Sequence, residues 1–225
     1  MTSSNSQKRL SMPKADLTRK WNKLAPDYSK ADWVIENLLG VKRLRRQLLH
    51  KASGTVLDVA CGAGANFPYL QGVESLTGVD LSAGMLEQAR LRTKKMGIAV
   101  DLQVMDAEKL DFPDNSFDTV VSALSTCTFP DSVAALREMM RVCRPGGRIL
   151  LLEHGLSRWR WVRWVQHRTA PWHFKSVGCR WNQSPLQIIG EAGLNIVESH
   201  RALLGIMVTV EAAYDNGSKG STQRS

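Results

Sequence analysis

The chain has 225 residues, 43% of them hydrophobic and 23% charged, with a formal net charge of +9. That length buries a full core as one α/β domain, and the hydrophobic share excludes a disordered chain. No apolar run approaches the roughly 18 residues that a membrane-spanning helix needs, and the Ser-rich start, Met1 to Lys20, lacks the apolar core of a secretory signal.

Residues 1–16 read as a tail, with organelle targeting as the alternative, and the folded part is expected over 17–213. A helix is predicted from about Asp32 to Leu49, its apolar stripe formed by Val34, Leu38, Val41, Leu44 and Leu48. Lys42, Arg43, Arg45 and Arg46 supply its charge. The run from Val56 to Val59 then reads as a strand entering a glycine-rich turn, Ala60-Cys61-Gly62-Ala63-Gly64-Ala65-Asn66-Phe67. A helix and a second parallel strand ending in Asp80 should follow. Val100 to Val104 alternates apolar and polar before Asp106 and Ala107, as a third strand would. Phe117 to Ser122 reads as a fourth strand. Ser132 is placed to cap a helix over about 133–143, with Leu136, Met139, Met140 and Cys143 on one face. Arg144-Pro145-Gly146-Gly147 is a turn, and Arg148 to Glu153 is a fifth strand. A helix is expected near 184–192, and the polar end, residues 214–225, reads as a second tail.

An acid at the tip of the second strand, about twenty residues beyond the glycine turn, can accept both hydroxyls of a ribose. The turn departs from the dinucleotide fingerprint, however. Its first glycine position is Ala60, its third is Phe67, and Asp58 beside it would repel a pyrophosphate. A carboxylate there suits a nucleoside cofactor with a positive end, such as the amino group and sulfonium of S-adenosylmethionine. At the third strand tip, an acid with an adjacent backbone N–H can read the adenine edge.

From Cys61 to Phe67, through Cys127 and Arg141-Val142-Cys143-Arg144-Pro145-Gly146-Gly147, to Glu153-His154, Pro171-Trp172-His173 and Gly178-Cys179, the chain resembles the class I S-adenosylmethionine-dependent methyltransferases. Within them it is similar to the ubiquinone/menaquinone C-methyltransferase-like group, and to its small thiol-methyltransferase-like branch. The resemblance spans roughly residues 20–213. It implies a Rossmann-like, doubly wound sheet of about seven strands, with N-terminal helices and a Trp/Arg-rich lid over about 155–182. It also implies that Asp58, Ala60, Gly62 and Gly64 hold the methionine end. Asp80, Leu81 and Met85 would meet the ribose and adenine, and Asp106 and Ala107 the adenine edge. Ser122 and Ala123 would lie beside the methionine moiety, and Tyr28 would close over the cofactor. The implied acceptor is small and hydrophobic, most simply a thiol. A quinol-like aromatic carbon or hydroxyl, or the amine of a lipid or small molecule, is the alternative.

Cys127, His154, Trp161, Trp172 and His173 are the candidate substrate contacts, with His154 the candidate catalytic base because imidazole titrates near neutrality. Cys61, Cys127, Cys143 and Cys179 form no C-x-x-C and show no metal-ligand spacing with histidine. They read as reduced, buried thiols, with no metal expected. Arsenite methylation, with Cys61, Cys127 and Cys179 converging, is a further alternative. The segment from His154 to Gly190 contains no acid, six Arg or Lys residues and five of the seven tryptophans. It suggests a hydrophobic acceptor or a dock on an anionic membrane. Its apolar residues spread around the helical wheel, so a buried lid with snorkelling arginines competes with the membrane reading. Nucleic acid is disfavoured, because no separate RNA-binding module is present and Ser122 to Cys127 lacks the Asn/Asp-Pro-Pro-aromatic signature. The expected location is intracellular and cytoplasmic, with a peripheral membrane or an organelle as alternatives.

Overall fold

The computed structural model describes residues 12–38 and 40–213, and of residues 29–38 the backbone alone. Two helices, α1 (Lys14–Leu38) and α2 (Val41–Leu49), precede the sheet. β1 (Thr55–Val59), β2 (Ser75–Asp80), α3 (Ala83–Met96), β3 (Asp101–Val104) and β4 (Phe117–Ala123) follow. Then come α4 (Ser132–Val142), β5 (Cys143–His154), α5 (Arg160–Val177), α6 (Pro185–Ala192), β6 (Asn195–Ala202) and β7 (Met207–Ala213).

The seven strands form one sheet in the order β3-β2-β1-β4-β5-β7-β6. The first five run parallel, and β7 enters antiparallel between β5 and β6. Central parallel strands are covered on both faces, so they read as continuous apolar runs. Leu57, Val59, Val120, Ile149 and Leu151 pack on one face with Leu136 and Met139 of α4 and Ile189 of α6. Val56, Val121, Leu150 and Leu152 pack on the other with Val41 and Leu48 of α2 and Leu86 of α3. Strand order reverses at β1, so β2 and β4 diverge and leave a crevice at the carboxyl ends, where open α/β sheets bind ligands.

Four local expectations differ. The helix predicted over 32–49 is two helices, because Gly40 adopts a left-handed φ of 66° between them. The helix expected after the glycine turn is a single 3-10 turn, Phe67–Tyr69, with Pro68 inside it. Asp131, not Ser132, caps α4, its side chain accepting from the Ala134 N–H at 3.0 Å. Residues 14–16, expected within the N-terminal tail 1–16, begin α1, while residues 1–11 and 214–225, expected as parts of tails, lie outside the described residues. No helix among the described residues is long and apolar enough to cross a membrane.

Candidate cofactor and acceptor site

The crevice holds a cleft that is open at its mouth. Its polar lining is built on the tips of β1, β2 and β3. The Asp80 carboxylate accepts the Gly62 N–H at 2.9 Å and the Ser82 N–H at 2.8 Å, so the β2 tip and the glycine turn are locked together. Burial lifts the Asp80 carboxyl above its ordinary range, and those two N–H groups oppose the rise. Asp106 accepts the Glu108 N–H at 2.9 Å and the Lys14 ammonium at 2.6 Å, so the start of α1 closes on the β3 tip.

Asp58 lies just behind the wall. It is fully buried; the Asn66 amide donates to Oδ1 at 2.8 Å, and Oδ2 has no partner. The Asn66 side-chain oxygen in turn accepts from the buried Arg45 guanidinium. Burial pushes Asp58 up to about 7, with Asn66 and Arg45 pulling it down and Asp80 adding to the rise. Arg45, Ala65 and Asn66 line the cleft, so a cation–amide–carboxylate chain ends beside it.

The two turn glycines serve different ends. A Cβ on Gly62 (φ +55) would meet nothing within 4 Å, so this backbone faces the open cleft. A Cβ on Gly64 (φ +76) would sit 2.4 Å from the Phe67 ring. Gly64, expected at the cofactor, thus makes room for the fully buried Phe67. Ala60, at the first glycine position, takes a left-handed φ of 54°, which an L-residue adopts at about 1–2 kcal/mol.

The apolar lining comes from Leu17 and Trp21 of α1 and from Leu124, Phe129 and Pro130 beyond β4, with Trp21 packed against Ala63 and Met85. α1 is anchored beside the β2 tip because Asn22 Oδ1 accepts the Ser82 hydroxyl at 2.6 Å and the Gly84 N–H at 3.0 Å. Trp21 and Tyr28 meet edge-to-face at 5.7 Å. Leu124 turns the loop with a left-handed φ of 57°.

Of the expected site residues, Tyr28, Ala60, Gly62, Asp80, Leu81, Met85, Asp106, Ala107 and Ala123 wall the cleft. Ser122 is buried beneath it, its hydroxyl donating to the Val59 carbonyl at 3.0 Å. The candidate substrate contacts depart from expectation, since no residue of 155–182 walls the cleft. Trp161 and Trp172 are 62% and 73% exposed on the outer face of α5. Only Val162, Gln166 and Ala170, spaced four apart, turn that helix inward. Its tryptophans are therefore neither a buried lid nor a cleft wall, and α1 covers the cleft instead. His173 stacks near Trp181, at 5.2 Å between ring centroids. His154 and Cys127 lie behind the wall, with His154 Nε2 3.1 Å from Cys179 Sγ. Cys61 does not join them: its sulfur packs toward Gly78 on β2.

A sheet of this order, with carboxylates at consecutive strand tips around an open glycine turn, defines the class I S-adenosylmethionine-dependent methyltransferases, and the chain belongs to that class. Residues 57–151 match the family described as a methyltransferase domain. The chain is 30% identical over 213 residues to the mitochondrial methyltransferase OMS1 of Saccharomyces cerevisiae, covering 86% of this chain and 45% of that one. It is 36% identical over 143 residues to the ubiquinone/menaquinone biosynthesis C-methyltransferase UbiE of Bdellovibrio bacteriovorus, covering 60% of each. The chain thus spans about half the length of the curated relatives it matches. Its fold superposes on geranyl diphosphate C-methyltransferase of Streptomyces coelicolor A3(2), solved with S-adenosyl-L-homocysteine, with a TM-score of 0.66 at 17% identity over 89% of this chain and 97% of that one.

The residues present fit the cofactor of this class, S-adenosylmethionine. The unpartnered Asp58 oxygen supplies negative charge near the glycine turn, Gly62 leaves its backbone open to the cleft, and Asp80 stands pre-oriented at the wall.

Proposed function

We propose that the domain transfers a methyl group from S-adenosylmethionine to a small hydrophobic acceptor, and that the acceptor is a thiol. The single observation that carries this is one cleft lined both by strand-tip carboxylates and by an apolar set that includes Leu17, Trp21, Leu124 and Phe129. When bound, the cofactor supplies an electrophilic methyl on a positively charged sulfur, displaced in line by the acceptor.

Asp80 would hold the ribose hydroxyls, and Leu81 and Met85 would flank adenine. Asp106 and the Ala107 N–H would read the adenine edge, with Lys14 paired to Asp106. Asp58, through Asn66, would favour the positive end. Leu17, Trp21, Leu124 and Phe129 would strip water from the acceptor, and holding the two partners in line supplies most of the acceleration. Among the described residues that line the cleft none is a histidine, and its acids Asp80, Asp106 and Glu108 are already tied to backbone N–H groups or to Lys14. A phenol, with a pKa near 10, would need a base there, whereas a thiol near 8.5 ionises appreciably unaided. A quinol-like carbon is the second reading, favoured by the similarity to a quinone C-methyltransferase.

The test is methyl transfer from labelled S-adenosylmethionine to a panel of hydrophobic thiols, quinols and amines. Label on sulfur is expected. Label on carbon or nitrogen alone would overturn the thiol reading, and failure to bind the cofactor would overturn the whole.

We also propose that α5 rests on an anionic membrane surface, where such acceptors partition. Trp161, Trp164 and Trp172 are exposed beside Arg160, Arg163 and Arg168, in a segment without acids, and amphipathic aromatics with cations suit a lipid interface. In flotation with anionic vesicles, the protein should co-float. Trp161→Ala/Trp164→Ala should lose most of that binding with stability changed by less than about 0.5 kcal/mol. Equal recovery of wild type and variant would refute the surface.

A further inference from the structure

Cys127, His154 and Cys179 reach one point from three separate places: the loop after β4, the last residue of β5 and the residue after the glycine that ends α5. Cys179 Sγ lies 3.1 Å from Cys127 Sγ and 3.1 Å from His154 Nε2. All three ligand atoms fall within 4.8 Å of one another. Both cysteines are free and buried.

The surroundings fix this triangle. The Arg180 backbone N–H and its Nε both donate to the Cys127 carbonyl, at 3.0 and 3.2 Å, which binds the two cysteine segments together. The same guanidinium donates to the Phe129 carbonyl. On the other side, Glu153 Oε1 accepts the Thr126 N–H at 3.3 Å, holding the loop that carries Cys127. Thiols that merely fill space need neither each other nor an imidazole nitrogen, yet here both thiols and the ring converge from segments that backbone bonds hold in place.

We propose that Cys127, His154 and Cys179 bind one Zn²⁺ ion. Two thiolates and an imidazole are a zinc-type donor set, softer than the oxygen sets that hold magnesium or calcium. Tetrahedral coordination at ordinary Zn–S and Zn–N lengths sets sulfur–sulfur and sulfur–nitrogen separations near 3.5–3.8 Å. The two 3.1 Å sides that meet at Cys179 need to open by only several tenths of an ångström. Binding exchanges the two thiol protons for the ion, releases them to solvent and changes no oxidation state. Three protein ligands leave a fourth position for water or another ligand. Ser125, Thr128 and Phe129 of the Cys127 loop also wall the cleft, so the ion would sit at the border of its apolar lining. The site does not depend on which acceptor the domain uses.

The experiment takes the full chain, reduced and stripped with a chelator, and titrates it with Zn²⁺ against a chromophoric competitor, with Co²⁺ as a spectroscopic probe. One equivalent of zinc and a thiolate-to-cobalt charge-transfer band are expected. Cys127→Ser and Cys179→Ser should each weaken zinc at least about 100-fold, while Cys143→Ser leaves it unchanged. Maleimide labelling of Cys127 and Cys179 should be blocked by zinc, a readout that needs no variant to fold. Retained binding of S-adenosyl-L-homocysteine in Cys179→Ser separates loss of the metal from loss of the cofactor site. No stoichiometric zinc, equal affinity in Cys179→Ser, or a cobalt spectrum without the thiolate band would overturn the proposal. So would reduced protein that ignores zinc but forms a Cys127–Cys179 disulfide in air, which would make the pair a redox couple.

Discussion

Asp58 keeps its proton to about pH 7 because burial removes the water that would solvate its charge, while Asn66 and Arg45 limit the rise. Two consequences can be measured. The folded state holds a proton that the unfolded chain gives up near pH 4. The Asp58 contribution to stability is therefore constant below that pH and falls as pH rises toward 7. In denaturant unfolding from pH 4 to 8, Asp58→Asn should gain on the wild type steadily through that window. A positive ligand favours the charged carboxylate, so wild-type affinity for S-adenosylmethionine should rise between pH 6 and 8. Calorimetry in buffers of different ionisation heat should register proton release near pH 6. Asp58→Asn should bind at least about tenfold more weakly and lose both effects. Arg45→Met removes the charge that holds Asp58 down and should move the binding midpoint to higher pH, a change that a purely structural role would not produce. Asp80 and Asp106 were legible in the sequence because a strand followed by an acid is a local signal. Arg45 was not: nothing in a basic amphipathic helix marks which arginine will turn inward to meet Asn66, 21 residues away.

At the scale of elements, the glycine turn divides its work between ligand and core. Gly62→Ala introduces left-handed strain alone, about 1 kcal/mol, yet puts a methyl group into the cleft. It should bind the cofactor poorly with a nearly unchanged melting temperature. Gly64→Ala adds a clash with the Phe67 ring, and overpacking of this kind costs about 1–3 kcal/mol more. It should lower the melting temperature by several degrees, and thermal unfolding with calorimetric titration separates the two variants. Equal effects of both substitutions on stability would contradict this division. Helix α5 shows where sequence reading stops. Its tryptophans and arginines alternate without a clean polar face, so the wheel could not choose between lid and surface. The deciding stripe, Val162, Gln166 and Ala170, is inconspicuous because its middle member is a glutamine, which donates to the Gly155 carbonyl at 2.9 Å. The Cys127–His154–Cys179 cluster was illegible for a related reason: its spacings of 27 and 25 residues belong to no local motif, and only the sheet brings them together.

For the whole molecule, a ligand that binds only the folded state stabilises by mass action, about 2.7 kcal/mol at a hundredfold excess over Kd. For a domain of this size, S-adenosyl-L-homocysteine should raise the melting temperature by about 5–10 °C, and Asp80→Ala should abolish the rise in a thermal-shift assay. The first five strands and a ligand site at their tips were legible from strands, turns and helices alternating along the chain, whereas the strand order and the antiparallel β7 were not. The anchoring of α1 over the cleft was not, because it rests on single bonds such as those of Asn22 to Ser82 and Gly84.

The place of β7 also sets an order of events during synthesis. β7, the last strand among the described residues, occupies a slot between β5 and β6, both of which leave the ribosome before it. Until residues 207–213 arrive, β5 offers an unpaired edge from Arg148 to His154, with Ile149, Leu150, Leu151 and Leu152 along it. An apolar edge of that length recruits other strands. A chain stopped before Met207 should therefore be bound by chaperones or aggregate, because the seven-residue β7 covers that edge.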